Sequence, residues 1–592
     1  MRPITTRHAA PGVGWAADAR AVCAGIAAAV RPSRDLVVLL AVGVPLLFVA
    51  LGLELLDPDE GLYADIARTM LVSADWVLPR FNGLPYLEKP PLLFWLAAPA
   101  MTVLGGEVAL RGWSAVAALG TVLVTWRIGR QLYGAHAGLL AGLMLMTTAG
   151  YALYVRKAST DFLFVFCLTL ALWGFLKDVD RRASPARFLL GYAGLGLGVL
   201  AKGLIGLVLP VAIVGLTLAW VRALRPRELN LARGALVFGA LVLPWHVLVA
   251  LRDPALFGFY LIDNQVLRFL NLRGVVEDDV PVSTLGFLVV TFVWLFPWSV
   301  FTLARPAPAP PAEARWRPLV VMWAVVIVAF FALSRSKLEY YALPAFPAVA
   351  LMAGAGWACG RDVARWLVVA LVGSAGVGAA ALWVGTHLTP AQALAGLGEL
   401  NVYYRILREQ GWPFPYESVR PFAALLQALG VVLIVGWTAA TACWLRGRRR
   451  TSFACVTGVG VAIAALIVVL LHVVEPHHSA KAVSAAITAR LHPDSVIVHE
   501  GSLEYSAALP FYTGRRILVV NGARGDLDFA SHLPEARGYF LDTGDLAALW
   551  REPRRVFLVT RHPPLRSVVR TLPSVFQLGT FGSRWLYSNQ RG

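Results

Sequence analysis

Cysteine is scarce, with five in 592 residues, too few and too scattered for a disulfide framework. Charge is scarce as well, at 15% of residues against roughly 25% in soluble globular chains. Acidic residues are the scarcer sign: 35 Asp and Glu stand against 53 Lys and Arg, a net charge of +18. No RNA- or DNA-binding motif accompanies that excess, so it does not read as a nucleic-acid footprint. The chain shows no internal repeat of the kind an inverted-repeat transporter carries. Its C-terminal part has neither a Gly-rich phosphate loop nor a metal-spaced His/Cys set. No cleavable signal is expected, because the first apolar run comes late and is long enough to stay in a membrane.

Apolar residues are abundant instead, at 58% of the chain with mean hydropathy +0.65. That content excludes a disordered chain and a soluble enzyme. Runs of about 20 apolar residues cross a bilayer as helices, and thirteen such runs are expected between residues 35 and 474. A further run at 91–105 is read as a helix lying in the interface. Arginine clusters between the runs, such as Arg127/Arg130 and Arg446–Arg450, put the N-terminal arm (1–34) in the cytoplasm by the positive-inside rule. The segment 56–110 and the tail from 475 to 592 then lie on the opposite, external face. In the tail, short β-rich runs (Ser495–His499, Arg516–Val520, Arg555–Thr560, Phe576–Phe581) alternate with helical stretches. The expected fold class is an all-α polytopic membrane protein with a small C-terminal α/β domain.

The first external segment holds Asp57-Pro58-Asp59-Glu60. Read locally, Asp57 as N-cap, Pro58 at N1 and Glu60 at N3 make a capping-box-like helix start. The same segment also holds Tyr86-Leu87-Glu88-Lys89-Pro90-Pro91, where two prolines stiffen the backbone behind an ammonium group. Carboxylates such as Asp59, Glu60 and Glu88 suit general-base work or a divalent metal, and Lys89 suits a phosphate. Asp161 heads an apolar helix, Lys202 ends another, and Arg268, Arg335, Lys337, Tyr340 and Tyr341 occupy connections on the same expected face. Ionisable groups at that depth are costly unless they serve a site.

The order Asp59-Glu60, Tyr63, Arg68, Glu88-Lys89-Pro90-Pro91 and Arg111 resembles the polytopic GT-C glycosyltransferases. Within them it is most similar to the group that moves 4-amino-4-deoxy-L-arabinose from undecaprenyl phosphate to lipid A; protein O-mannosyltransferases share the superfamily. The motifs cover residues 35–345, and architecture covers the rest. The resemblance implies interfacial helices over a periplasmic cavity, with Asp59 the catalytic acid and Asp161 a second acidic position. It implies that Glu88, with Asp59, lies near a divalent metal. Lys89, Arg268 and Tyr341 would hold the lipid phosphate, with Lys337 and Lys202 nearby. Gln265 stands where the group has a metal-linked His three residues before the Arg, and a Gln oxygen is a poor zinc ligand, which leaves the metal's identity open. The expected reaction transfers a pentose, aminopentose or hexose from a polyprenyl-phosphate donor to lipid A or another envelope glycan, with inversion. A lipid-linked sugar flippase, a protein O-mannosyltransferase-like enzyme and an envelope docking protein remain the alternatives.

Overall fold

Inside lipid a backbone without water must satisfy its own hydrogen bonds, which leaves the helix as the element for long apolar runs. The computed structural model describes residues 33–176, 186–221, 229–267, 270, 272, 282–310, 314–334, 337–400, 402–409, 411–522 and 525–591. Up to Thr488 it is helical apart from one small hairpin. Helix α1 (Arg34–Phe48) starts at Ser33, whose hydroxyl accepts the Leu36 N–H at 3.2 Å. Next come α2 (Asp59–Ser73), the two-residue strands β1 (Arg80–Phe81) and β2 (Leu84–Pro85), and α3 (Leu92–Ala100). At nine residues α3 is too short to cross a bilayer.

The bundle continues through α4 (Gly106–Tyr133), α5 (Ala135–Met146), α6 (Ala149–Tyr154), α7 (Thr160–Phe175), α8 (Ala186–Lys202), α9 (Ile205–Val221) and α10 (Leu231–Arg252). A π-helical segment, Phe259–Leu267, precedes α11 (Thr284–Leu295), α12 (Arg317–Leu333), α13 (Phe346–Cys359) and α14 (Val363–His387). A hairpin of α15 (Pro390–Leu400) and α16 (Val402–Glu409) leads to α17 (Arg420–Leu445) and α18 (Arg449–His478). Among the described residues, five helices (α4, α10, α14, α17 and α18) are long and apolar enough to cross a membrane unaided. The other apolar helices are shorter, at 10–17 residues.

After α18 and the short α19 (Lys481–Thr488) the texture changes. Strands β3 (Val496–Glu500), β4 (Ile517–Val520), β5 (Phe540–Leu541), β6 (Val556–Thr560), β7 (Phe576–Phe581) and β8 (Arg584–Ser588) form one sheet in the order β5-β4-β3-β6-β8-β7. The first four are parallel, and β8 and β7 close the edge antiparallel. Helix α20 (Thr543–Trp550), opened by a capping box between Asp542 and Asp545, packs on one face.

The period-two alternation of strand side chains decides what each face of this sheet does. Ile497, Val519, Phe557, Val559 and Leu586 join one continuous core with Leu62, Ile66 and Phe81 of the first segment and with the helix bundle. Val498, Val520 and Leu558 point the other way, into a separate core with Leu546 and Trp550 of α20. The sheet is therefore built onto the α2 segment, with one face serving as part of the bundle's own interior.

Candidate active site

Three acids stand within four residues at the entry to α2, and each goes to a different place. Helix α2 begins at Asp59, its N-cap Pro58 supplies no side-chain bond, and Asp57 does not cap it. The capping-box expectation is thus corrected, because both side chains have longer-range partners. Asp57 accepts the Ala508 N–H at 2.8 Å and an Arg584 N–H at 2.6 Å. Burial pushes its carboxyl up to about 6, against the pull of the Arg584 guanidinium.

Glu60, expected to be catalytic, is fully buried and saturated. Its oxygens accept from Arg111 of α4, from Ala158 N at 2.6 Å and from Leu56 N at 2.9 Å. A carboxylate with every lone pair engaged has nothing left for substrate, so Glu60 is a strut between α2, α4 and the head of α7.

Of the three, Asp59 alone is partly exposed. Its carboxylate accepts from Lys157 at 2.6 Å, and the two side chains are 37% and 38% exposed. Partial burial pushes Asp59 up, but Lys157, with Lys89 and Lys202 behind it, outweighs that and holds the carboxyl below its ordinary value. Burial lowers Lys157, and Asp59 more than offsets it, so the ammonium is held above its ordinary value. Lys157 also lies over the Tyr340 ring, 5.7 Å from its centroid.

The other members gather around this pair. Ser159 caps α7 by accepting from Asp161 N at 3.3 Å, which frees the Asp161 carboxylate to bind Lys202 at the end of α8. Lys202 stands 5.5 Å from the centroid of Tyr341, which stacks edge-on with Tyr340 at 5.2 Å. Tyr154 packs on Tyr340 and donates to Glu339 at 3.2 Å. Lys89 is 22% exposed, with its ammonium 3.9 Å from the buried Glu88 carboxylate. Asn264 of the π-helical segment donates to the Glu88 carbonyl, tying that loop down.

Two further groups have local partners. Lys337 is buried and donates to the Ser334 carbonyl at 2.6 Å, where a cation offsets the C-terminal dipole of α12. Gln265 accepts the Leu204 N–H at 2.9 Å, just past Gly203, whose φ of +81° and closeness to Gln265 leave no room for a Cβ. The Gln265 oxygen thus starts α9. Arg268 and Arg335 lie outside the described residues.

The carboxylates that were to bind a metal, Asp59 and Glu88, each face an ammonium, and Asp161 faces a third. The described residues hold no group of three or more His, Cys, Asp and Glu arranged for an ion. A divalent cation between Asp59 and Glu88 would have to displace these ammonium groups from its oxygen ligands.

Residues 88–247 match the family described as dolichyl-phosphate-mannose-protein mannosyltransferase. Across most of the chain, the undecaprenyl phosphate-alpha-4-amino-4-deoxy-L-arabinose arabinosyl transferase of Pseudomonas aeruginosa (strain LESB58) is 30% identical over 519 residues, 83% of this chain and 86% of the relative. The chain belongs to this arabinosyl transferase family. The transferase of the same description from Edwardsiella ictaluri (strain 93-146) is 28% identical over 552 residues, 88% of this chain and 92% of the relative. The crystal structure of ArnT from Cupriavidus metallidurans bound to undecaprenyl phosphate shares the fold, with TM-score 0.78 and 25% identity over 94% of this chain and 98% of that one. The protein is therefore a membrane glycosyltransferase of GT-C architecture, and the flippase and docking-protein readings fall with that membership.

Sequence reasoning missed Lys157, Tyr154 and Glu339. Lys157 lies between α6 and α7 in Arg156-Lys157-Ala158-Ser159, four residues before Asp161. A charged pair interrupting two apolar stretches was the available signal.

Proposed function

We propose that the protein transfers 4-amino-4-deoxy-L-arabinose from an undecaprenyl-phosphate donor to lipid A, on the periplasmic side of a bacterial inner membrane. Donor and sugar are those after which its relatives are named. The observation that carries the site is the Lys157–Asp59 ion pair at 2.6 Å, joined through the stacked Tyr340 and Tyr341 rings to the Lys202–Asp161 pair. The ammonium groups of these pairs and of Lys89, in a partly desolvated pocket, suit a departing phosphate, whose growing charge they would stabilise. Arg268 is proposed as a fourth cation.

In the reaction, the bond between the anomeric carbon and the donor phosphate oxygen breaks, and its electron pair stays on the phosphate. An acceptor oxygen attacks from the opposite face and forms the new glycosidic bond, inverting the centre. Lys157 keeps Asp59 ionised and weakly basic, which makes it a poor proton acceptor. That supports an acceptor needing little deprotonation, such as a lipid A phosphate oxygen, with Asp59 orienting the sugar or acceptor. No step is assigned to a metal. Thirteen spans, a cytoplasmic N-terminus and a periplasmic tail 475–592 complete this reading.

The experiment compares lipid A by mass spectrometry from cells with and without the gene, alongside membranes carrying Asp59→Asn or Lys157→Met. An aminopentose mass difference on lipid A is expected, together with loss of transfer in both variants at unchanged protein level. Full transfer in both variants would overturn the site.

A further inference from the structure

The first turn of α2 is gripped from two sides, and Asp59 stands between the grips. On one side Glu60 binds Arg111 in the bundle. On the other, Asp57 binds Arg584 at the start of β8, 527 residues away, and both side chains are sealed from solvent.

Arg584 spends its whole guanidinium on this junction. Its Nε donates to Ser506 Oγ at 2.9 Å. Its Nη1 donates to the carbonyls of His477 and Ser479 at 3.1 and 2.8 Å, and its Nη2 to Asp57 and to the Tyr505 carbonyl at 2.8 Å. The end of α18, the turn after β3 and the entry to α2 thus meet on one planar cation, which a point-charge ammonium does not reproduce.

The backbones touch as well. A Cβ at Gly61 would lie 2.3 Å from Ala508 N, the same amide that donates to Asp57. Asp59 itself has no such tether and is held through its neighbours.

We propose that the buried Asp57–Arg584 pair is a positioning device for catalysis, by which the C-terminal sheet sets Asp59 against the lysine cluster. The proposal rests on the reading of Asp59 given above. A misplacement of about 1 Å at a reacting group costs on the order of a hundredfold in rate. Because Arg584 spends its donors on Ser506, Asp57 and backbone carbonyls, weakening the pair is expected to act on turnover and to leave donor binding to Lys89 and Lys202.

The test uses the full-length protein in detergent, with undecaprenyl-phosphate aminoarabinose as donor and lipid A as acceptor. Asp57→Asn and Arg584→Lys are each expected to lower kcat about tenfold or more. Donor KM should change by less than about twofold, with the folded protein retained. The double variant should be no worse than the more damaged single, as coupled partners require. An unchanged kcat in either accumulating variant overturns the proposal. So does failure of both to accumulate, since the pair would then hold the fold and not the turnover. Asp59→Asn runs in parallel: full activity there defeats the reading of Asp59, whereas its loss beside a normal Asp57→Asn defeats only the positioning role.

Discussion

Asp59 and Lys157 set each other's charge, and the consequence is a pH profile. Asp59 is held below 3.8 in the folded protein, so the stabilisation its ionisation brings is present above that value and is lost as pH falls through the folded value. Lys157 is held above 10.5, so its contribution is present below that value and is lost as pH rises through the folded value. This pair adds no limb of its own between about pH 5 and about pH 9, so a fall in transfer near pH 6 would report Asp57, whose carboxyl burial pushes up to about 6. In Lys157→Met the burial of Asp59 acts unopposed by its nearest cation, and the acid limb of the kcat/KM profile should move to higher pH. A limb that stays in place would mean that Lys157 does not control Asp59. Glu60 predicts a different phenotype. Cutting a buried pair leaves an uncompensated charge and costs about 3–5 kcal/mol. Arg111→Leu should therefore lose folded protein by thermal melting in detergent, whereas Asp59→Asn, half open to solvent, should melt near the wild-type temperature.

At the scale of elements, the site depends on how closely α8 and α9 approach. Lys202 ends α8, and α9 turns back directly through Gly203. Small residues let backbones touch where lipid offers no hydrophobic drive. A Cβ at Gly206 would lie 2.2 Å from the Gly198 carbonyl carbon, whereas one at Gly215 meets nothing within 4 Å. Gly206→Ala should therefore cost about 1–3 kcal/mol as overpacking and shift Lys202 with its helix. Gly215→Ala in the same helix should leave both melting and transfer near wild type. Equal effects from the two would refute the packing argument. Element type was legible where a run had a clear period: β3, β4, β6 and β7 fall on the runs read as strands. The strands β5 and β8 were not, since β5 has two residues and the Arg584 that opens β8 looks like a surface charge until its partners are known.

At the scale of the whole molecule, the tail and the first segment share one interior. Ile497, Phe557 and Leu586 of the sheet lie in the same core as Leu62, Ile66 and Phe81. Asn82 between β1 and β2 reaches the sheet directly, accepting from Ile517 N at 2.9 Å and donating to the Ile517 carbonyl at 3.0 Å. Removing residues 475–592 would expose that apolar face and orphan Asn82 and Asp57 together. A chain ending at residue 474 is expected to aggregate on size-exclusion chromatography in detergent. A monodisperse, stable truncation would show the tail to be a separable module.

By itself the sequence determined that this is a helical membrane chain with a β-containing tail, because apolar content and periodicity act through local backbone energetics. It also placed Asp59, Lys89, Asp161, Lys202 and Tyr341 among the candidates. Only the tertiary structure separated Asp57, Asp59 and Glu60. Asp59 and Glu60 are neighbours on a helix and point about 100° apart, and Asp57 precedes that helix, so three acids of the same chemistry meet different surroundings. Those surroundings come from Arg584, Lys157 and Arg111, which lie 527, 98 and 51 residues away in the chain from their respective acids. Burial with a saturated partner turns two of the acids into struts, and the third stays partly exposed beside an ammonium.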